Sequence, residues 1–169
     1  GLDGSNLDIV DVSVQTQPSA KNEIQLSWDV ETLFPYEDKL FAGSRTGMYI
    51  LDLQTPTSPT IISQYAHVRS CDPVVVEGDY AYVTLRSGSE CEGFTNQLEV
   101  IDITNLKAPS VVKIYPMTNP HGLGIDNGTL FICDGADGLK AYDASNALAI
   151  SENQLAHYKN INAFDVIPY

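Results

Sequence analysis

The stretch "GMYILDL" at residues 47–53 decides how this chain is read. Alone it is a short apolar run of strand-forming residues. It has relatives elsewhere in the chain: "NLDIVDV" at 6–12, "QLEVIDI" at 97–103 and "GLKAYDA" at 138–144. Each closes on an aspartate: Asp11, Asp52, Asp102 and Asp143, at spacings of 41, 50 and 41 residues. Seven residues after the first three aspartates stand Pro18, Pro59 and Pro109; after the fourth stands Ile150. A further strand follows each turn: "EIQLSW" at 23–28, "TIISQY" at 60–65, "SVVKIY" at 110–115 and "ENQLAHY" from residue 152.

A hairpin precedes each of the later copies. "TLFPYEDKLFAGS" (32–44), "PVVVEGDYAYVTL" (73–85) and "GLGIDNGTLFICD" (122–134) all read strand, tight turn, strand. Their turn residues Gly, Asn and Asp tolerate the positive φ that a tight hairpin needs. One repeat is therefore four antiparallel strands, and the 50-residue spacing is the same unit with a longer loop near Ser87–Asn96. A period near 40 with four strands predicts a β-propeller blade. One blade cannot bury both faces, so stacking explains why its strands are apolar throughout. The fold expected is all-β, with blades of four antiparallel strands.

The expected blades run over 29–66, 67–116 and 117–159; below they are blades one, two and three. Residues 1–28 read as the end of a preceding blade, and 160–169 as the first strand of a further one. Either the chain is a piece of a longer propeller, or its terminal segments pair into one incomplete blade. Blade three departs from the pattern, because "ASNALAI" lacks the turn proline and the strand after it is polar.

Composition narrows the partners. The 169 residues carry a net charge of −13, which repels phosphate backbones and weighs against nucleic acid. No stretch approaches ~20 apolar residues, so any membrane attachment would come from an anchor outside this sequence. Exposed blade faces and strand edges also invite self-association.

The "LEVIDI", "YILDL" and "DIVDV" strands, with the Asn/Thr-x-x-x-Pro turn after them, resemble the LVIVD repeat. "SCDPVVVEGDYAYVTLRSG…C" together with "NPHGLGI…LFICDGADGLKAYD" is similar to members of that family carried as surface lipoproteins of Bacteroidetes. The resemblance implies a β-propeller that is exported to the cell surface, outer membrane or periplasm. It implies no activity, because the family has no agreed catalytic motif.

Three cysteines are present. Cys71 precedes the central hairpin of blade two and Cys91 lies in the long loop after it, so a disulfide between them is geometrically plausible. It would fit an oxidising, exported location. Cys133 sits in the apolar run "LFICD" and reads as a buried structural thiol. No CxxC or His-rich spacing points to zinc. "DGADG" at 134–138 lacks the ligand spacing of a calcium loop and reads as the turn between second and third strands. The four strand-ending aspartates read as turn caps. Trp28 and Tyr36 are expected at blade boundaries, and His67 and His157 on the surface or between blades.

Aligning the innermost strands "TLFPY", "DPVVV", "HGLGI" and "DVIPY" puts Thr32, Asp72, His121 and Asp165 in one column. Inner strands line a propeller's channel, so this column and the nearby Arg69, Asn119 and Asn162 are the candidate ligand site at one mouth. Such a ring could hold a divalent cation or a polar ligand, or simply face a solvated channel; whether a metal belongs there is left open. The leading expectation is a noncatalytic cell-surface scaffold that binds a protein, peptide or glycan. One alternative is a hydrolase- or lyase-type enzyme using Asp72, His121 and Asp165 as acid, base or metal ligands. Another is a structural module of a larger envelope protein.

Overall fold

The computed structural model describes residues 2–26, 30–67, 73–88 and 94–169. An opening sheet holds β1 (Leu2–Asp3), β2 (Asn6–Asp11) and β3 (Ser19–Gln25). Blade one follows with β4 (Val30–Tyr36), β5 (Lys39–Ser44), β6 (Gly47–Asp52) and β7 (Thr60–Ala66). Blade two holds β8 (Val74–Glu77), β9 (Tyr80–Leu85), β10 (Gln97–Asp102) and β11 (Ser110–Pro116). Blade three holds β12 (Leu123–Asp126), β13 (Thr129–Cys133), β14 (Leu139–Asp143) and β15 (Gln154–Tyr158). Within each sheet, strands pair antiparallel in chain order, which is the arrangement of propeller blades.

The repeated third strand explains itself in this frame. Its residues alternate between two interblade cores. Tyr49 and Leu51 of β6 pack toward Leu7 of the opening sheet, while Met48 and Ile50 pack toward Val74, Val83 and Leu85 of blade two. Leu98 and Val100 of β10 in turn meet Leu130, Ile132 and Tyr142 of blade three. A strand buried on both faces must be apolar at every position, which is why "GMYILDL" shows no alternation. Each fully buried Leu or Ile contributes about 1.5–3 kcal/mol.

The four aspartates are turn caps, as expected. Asp11 Oδ1 accepts from Ser13 N at 2.9 Å, Asp52 from Gln54 N at 2.8 Å, Asp102 from Thr104 N at 2.8 Å and Asp143 from Ser145 N at 2.9 Å. Each outer strand also carries one extra residue against the third strand, at Lys21, Ile62, Val112 and Leu155. Such a bulge increases the local twist of the outer edge.

Blade three replaces its missing proline by a different device. Residues Ala147–Glu152 form a 3-10 helix capped by Asn146, whose Oδ1 accepts from Leu148 N at 3.2 Å. Ile150 stands where the other turns have proline and is 1% exposed. Unlike proline it has a buried N–H to satisfy. Tyr115 of blade two supplies the acceptor: Ile150 N donates to its hydroxyl at 3.2 Å.

Polar latches cross each boundary between full blades. Gly78 N donates to Tyr36 Oη at 2.9 Å, and Gly128 N to Glu77 Oε2 at 2.9 Å. Tyr65 Oη donates to the buried Glu99 Oε2 at 2.9 Å, and Thr84 Oγ1 to His121 O at 2.8 Å. Tyr36 therefore sits at a blade boundary as expected, while Trp28 lies outside the described residues.

Residues 160–169 form no strand in this structure, apart from a single bridge between Ala163 and Gly135. They instead lie along β12. Gly122 N donates to Phe164 O at 2.8 Å. A Cβ on Gly122 would stand 2.2 Å from Asp165 Oδ1, and one on Gly124 would stand 2.5 Å from Pro168 Cδ. Two glycines without side chains thus make room for this close approach.

Candidate functional site

The innermost strands converge as the propeller reading requires. A cavity of about 530 Å³ is lined by Glu31–Phe34, Pro73–Val75, Leu123–Ile125 and Asp165–Pro168, one segment from each inner-strand position. It adjoins a polar cleft of about 300 Å³ at one mouth. That cleft is lined by Glu31, Thr32, Pro73, Arg86, Pro120, His121, Gly122, Phe164 and Asp165. Thr32, His121 and Asp165 therefore share one cleft. Asn119 stands just behind it, bonded to His121, whereas Asn162 is exposed on the tail and does not line it. Asp72 and Arg69 lie outside the described residues, as do Cys71 and Cys91.

Local contacts position His121. Its backbone is fixed on both sides, with His121 N donating to Cys133 O at 2.7 Å and His121 O accepting from Thr84. The ring packs edge-on against Phe164, with centroids 4.8 Å apart. Asn119 Nδ2 lies 3.2 Å from His121 Nε2. An amide nitrogen only donates, so Nε2 accepts and the ring proton sits on Nδ1. Burial, then the neighbouring Arg86 guanidinium, pulls the ring below its ordinary pKa, with Asp134 acting the other way. His121 is thus a neutral hydrogen-bonding group at pH 7.

Asn119 is held by a buried ion-pair cluster under the "DGADG" turn. Asp134 is fully buried and accepts from Asn119 N at 2.6 Å and Thr118 N at 3.1 Å. Lys140 Nζ reaches Asp134 Oδ2 at 2.5 Å and Asp137 Oδ2 at 2.6 Å. His157 Nε2 lies 2.5 Å from Asp137 O, which ties β15 to the turn of its own blade rather than bridging two blades. The cluster is a scaffold beneath the mouth, since Asp134 and Asp137 both bind the Lys140 ammonium and Asp134 also takes backbone N–H bonds. Cys133 is buried as expected, and burial, helped by the Asp165 carboxylate, raises its thiol to about 11. That makes it inert as a nucleophile.

Several lining residues were missed by the sequence alignment. Counting back five residues from the last position before each hairpin turn, Tyr36 and Asp126, reaches Glu31 and His121. Glu31 thus belongs in the His121 column, with Thr32 beside it. The register slips between Val30 and Thr32, so one strand residue is extra there. Arg45 and Arg86 follow the second strands of blades one and two at equivalent places, and Arg45 Nε lies 3.6 Å from Glu31 Oε1. Both described arginines therefore sit near this mouth of a chain with net charge −13. Among the described residues, no three His, Cys, Asp or Glu side chains are grouped to hold a metal ion.

Residues 69–117 match the model of the LVIVD repeat. The match covers blade two, from the segment before β8 to the end of β11. Among curated proteins, none matches the sequence. Among solved structures, the crystal structure of AztD from Citrobacter koseri superposes with a TM-score of 0.62 at 15% identity, over 88% of this chain and 40% of that one. The apo form of AztD gives the same TM-score and identity over 88% and 42%. The N-terminal domain of Nup159 gives 0.52 at 13% identity, over 83% and 33%. At these identities the likeness establishes the propeller fold alone. The chain spans about two fifths of the length of the AztD chains.

Proposed function

We propose that this LVIVD-repeat chain is a noncatalytic propeller scaffold at the cell surface, and that it holds a protein, peptide or glycan at one mouth of its channel. The observation that carries this reading is the cleft itself. Inner-strand positions deliver a hydroxyl, a neutral imidazole and two carboxylates, and Arg86 after the second strand of blade two adds a guanidinium, around about 300 Å³ beside a larger cavity. Convergent polar groups at the edge of a larger cavity are what a small binding site requires. Mixed charge and planar donors suit a ligand rich in hydroxyl or carboxylate groups. Export fits the resemblance of blades two and three to surface lipoproteins, with a Cys71–Cys91 disulfide as its chemical mark.

The test is a thermal-shift screen of wild type and an Arg86→Gln/His121→Ala variant against cell-wall and host glycans and acidic peptides. A ligand at 100 times its Kd stabilises by about 2.7 kcal/mol, a shift of several degrees. The expected result is a shift in wild type that the variant loses. A shift of equal size in both proteins, or a partner whose footprint lies only on the rim, would refute the site. Export is checked separately: alkylation of the unfolded, unreduced protein should label Cys133 and leave Cys71 and Cys91 unlabelled.

A further inference from the structure

The inner hairpin turns of blades one, two and three are not chemically equal. Each places two residues between paired neighbours: Glu37-Asp38 in blade one, Gly78-Asp79 in blade two and Asn127-Gly128 in blade three. The first residue of each turn has positive φ, at +52°, +59° and +46°. In blade three the second is positive as well, with Gly128 at +73°. A two-residue turn with both φ values positive is the type I′ hairpin, for which Asn-Gly is a favoured pair. Asn127 is also the one asparagine of the chain that is followed by glycine.

The pair that suits this turn is chemically labile. The backbone nitrogen after an asparagine can attack its side-chain amide, and glycine has no side chain to obstruct the approach. Asn127 is exposed, and a Cβ on Gly128 would meet nothing within 4 Å, so solvent has open access. The attacking nitrogen, however, is held. Gly128 N donates to Glu77 of blade two, at 2.9 Å to Oε2 and 3.2 Å to Oε1. The Gly128 carbonyl accepts from Ala144 N at 2.7 Å, and Asn127 Nδ2 donates to Asp126 Oδ2 at 3.0 Å. A carboxylate beside the N–H opposes its deprotonation, and the bonds on both sides of Gly128 resist the rotation that ring closure needs. At the boundary between blades one and two, Gly78 N donates to the uncharged Tyr36 hydroxyl instead. The charged acceptor thus stands at the labile turn.

We propose that Asn127 is a modification site. It deamidates spontaneously, the bond from Gly128 to Glu77 sets the rate, and the product loosens the boundary between blades two and three. Gly128 N gives its proton to solvent hydroxide and bonds to Asn127 Cγ; the Cγ–Nδ2 bond breaks and ammonia leaves. Water then opens the cyclic imide. Opening at the main-chain carbonyl of residue 127 leaves isoaspartate, and opening at Cγ leaves aspartate. Isoaspartate adds a methylene to the backbone of a two-residue turn, which shifts Gly128 N off Glu77. Either product sets a new carboxylate near Asp126 and Glu77, where like charges repel. The inference stands independently of what the channel mouth binds.

Prolonged incubation of the folded chain at neutral pH, followed by peptide mapping, tests it. The readouts are the amide-to-acid mass gain on the peptide carrying Asn127 and enzymatic methylation of isoaspartate. Glu77→Ala should speed conversion about tenfold, the effect of losing a hydrogen bond to a charged group. Glu77→Gln keeps an acceptor and should speed it less. The chain unfolded in urea should convert at least as fast as Glu77→Ala. Tyr65→Phe weakens the boundary between blades one and two and should leave the rate at Asn127 unchanged, which separates the local clamp from general loosening. The converted chain, isolated by anion exchange, should show faster amide exchange in β8 and β12 than the fresh one, and Asn127→Gln should stay unconverted. Equal rates in wild type and Glu77→Ala, a rate raised as much by Tyr65→Phe, no conversion of Asn127 in urea, or unchanged amide exchange after conversion would overturn the proposal.

Discussion

Lys140 Nζ and Asp134 Oδ2 meet at 2.5 Å beneath blade three, with the Asp134 side chain fully buried and that of Lys140 10% exposed. Three more ties complete the cluster: Asp134 takes two backbone N–H bonds from the segment that carries Asn119, and Lys140 also reaches Asp137. Through Asn119 it holds the His121 ring at the channel mouth.

Breaking that pair from one side strands a buried charge. Asp134→Ala should destabilise the chain by about 3–5 kcal/mol, whereas the Asp134→Ala/Lys140→Met double variant should recover most of the loss. Urea denaturation of the two proteins checks it. A double variant no more stable than the single one would show that the carboxylate's backbone bonds, and not the ion pair, hold the turn.

Tyr115 stands in for a missing turn proline. Tyr115→Phe leaves the buried N–H of Ile150 without its acceptor and should cost about 1–3 kcal/mol. Adding Ile150→Pro removes the orphaned donor and should return part of that stability. Thermal denaturation of the single and double variants measures the difference.

Glycines at the two kinds of turn in a blade should differ sharply in tolerance. Gly138 has φ +90°, and a Cβ there would stand 2.0 Å from the Tyr158 carbonyl oxygen. Gly47 has φ +145°, with the Tyr65 carbonyl oxygen equally close. Alanine at either should cost about 2–3 kcal/mol and loosen the outer strand. Gly78, at φ +59° with open space around it, should lose only about 1 kcal/mol. Amide exchange of β7 and β15 locates the loosened edge.

Acid should unfold the protein through its turn caps. Asp11, Asp102 and Asp143 are held below the ordinary carboxyl range by bonds from Ser13, Thr104 and Ser145, and Asp137 by its bond to Lys140. A depressed folded pKa gives stability that is present above the unfolded value of about 3.9 and is lost as pH falls through the folded one. Lys140 works in the opposite direction. Burial alone would lower its pKa, but the bonds to Asp134 and Asp137 outweigh it and raise the value. Its contribution is present below about pH 10.4 and is lost as pH rises through the folded value. From these groups the urea midpoint should hold level between about pH 4 and 10 and fall on both sides. A midpoint that rises on acidification from pH 5 to 3 would contradict the cap assignments.

Much of the fold could be read because each strand is specified locally. A third strand buried on both faces must be apolar throughout, and an aspartate two residues before a turn N–H caps that turn wherever the unit is repeated. The candidate mouth was legible in the same way, since the start of an inner strand is a fixed place in the repeat; that is how His121, Asp165 and Thr32 were found. Glu31 was missed because one extra residue before Thr32 shifts the count, and a bulge leaves no mark in composition. Arg86 was missed because it reaches the cleft from a second strand.

What the amino-acid sequence determined by itself was therefore periodic: the number of strands in a unit, the capping of its turns, and the burial of Cys133 in an apolar run. Only the tertiary structure decided what is not periodic. It buried Lys140 against Asp134, gave the N–H of Ile150 to Tyr115, laid the tail on Gly122 and Gly124, and left Tyr158 facing outward. The physical reason is range. Hydrophobic pattern and turn chemistry act between residues a few positions apart, so the repeat carries them. Charge pairing and hydrogen bonding across blades depend on which surfaces packing brings together.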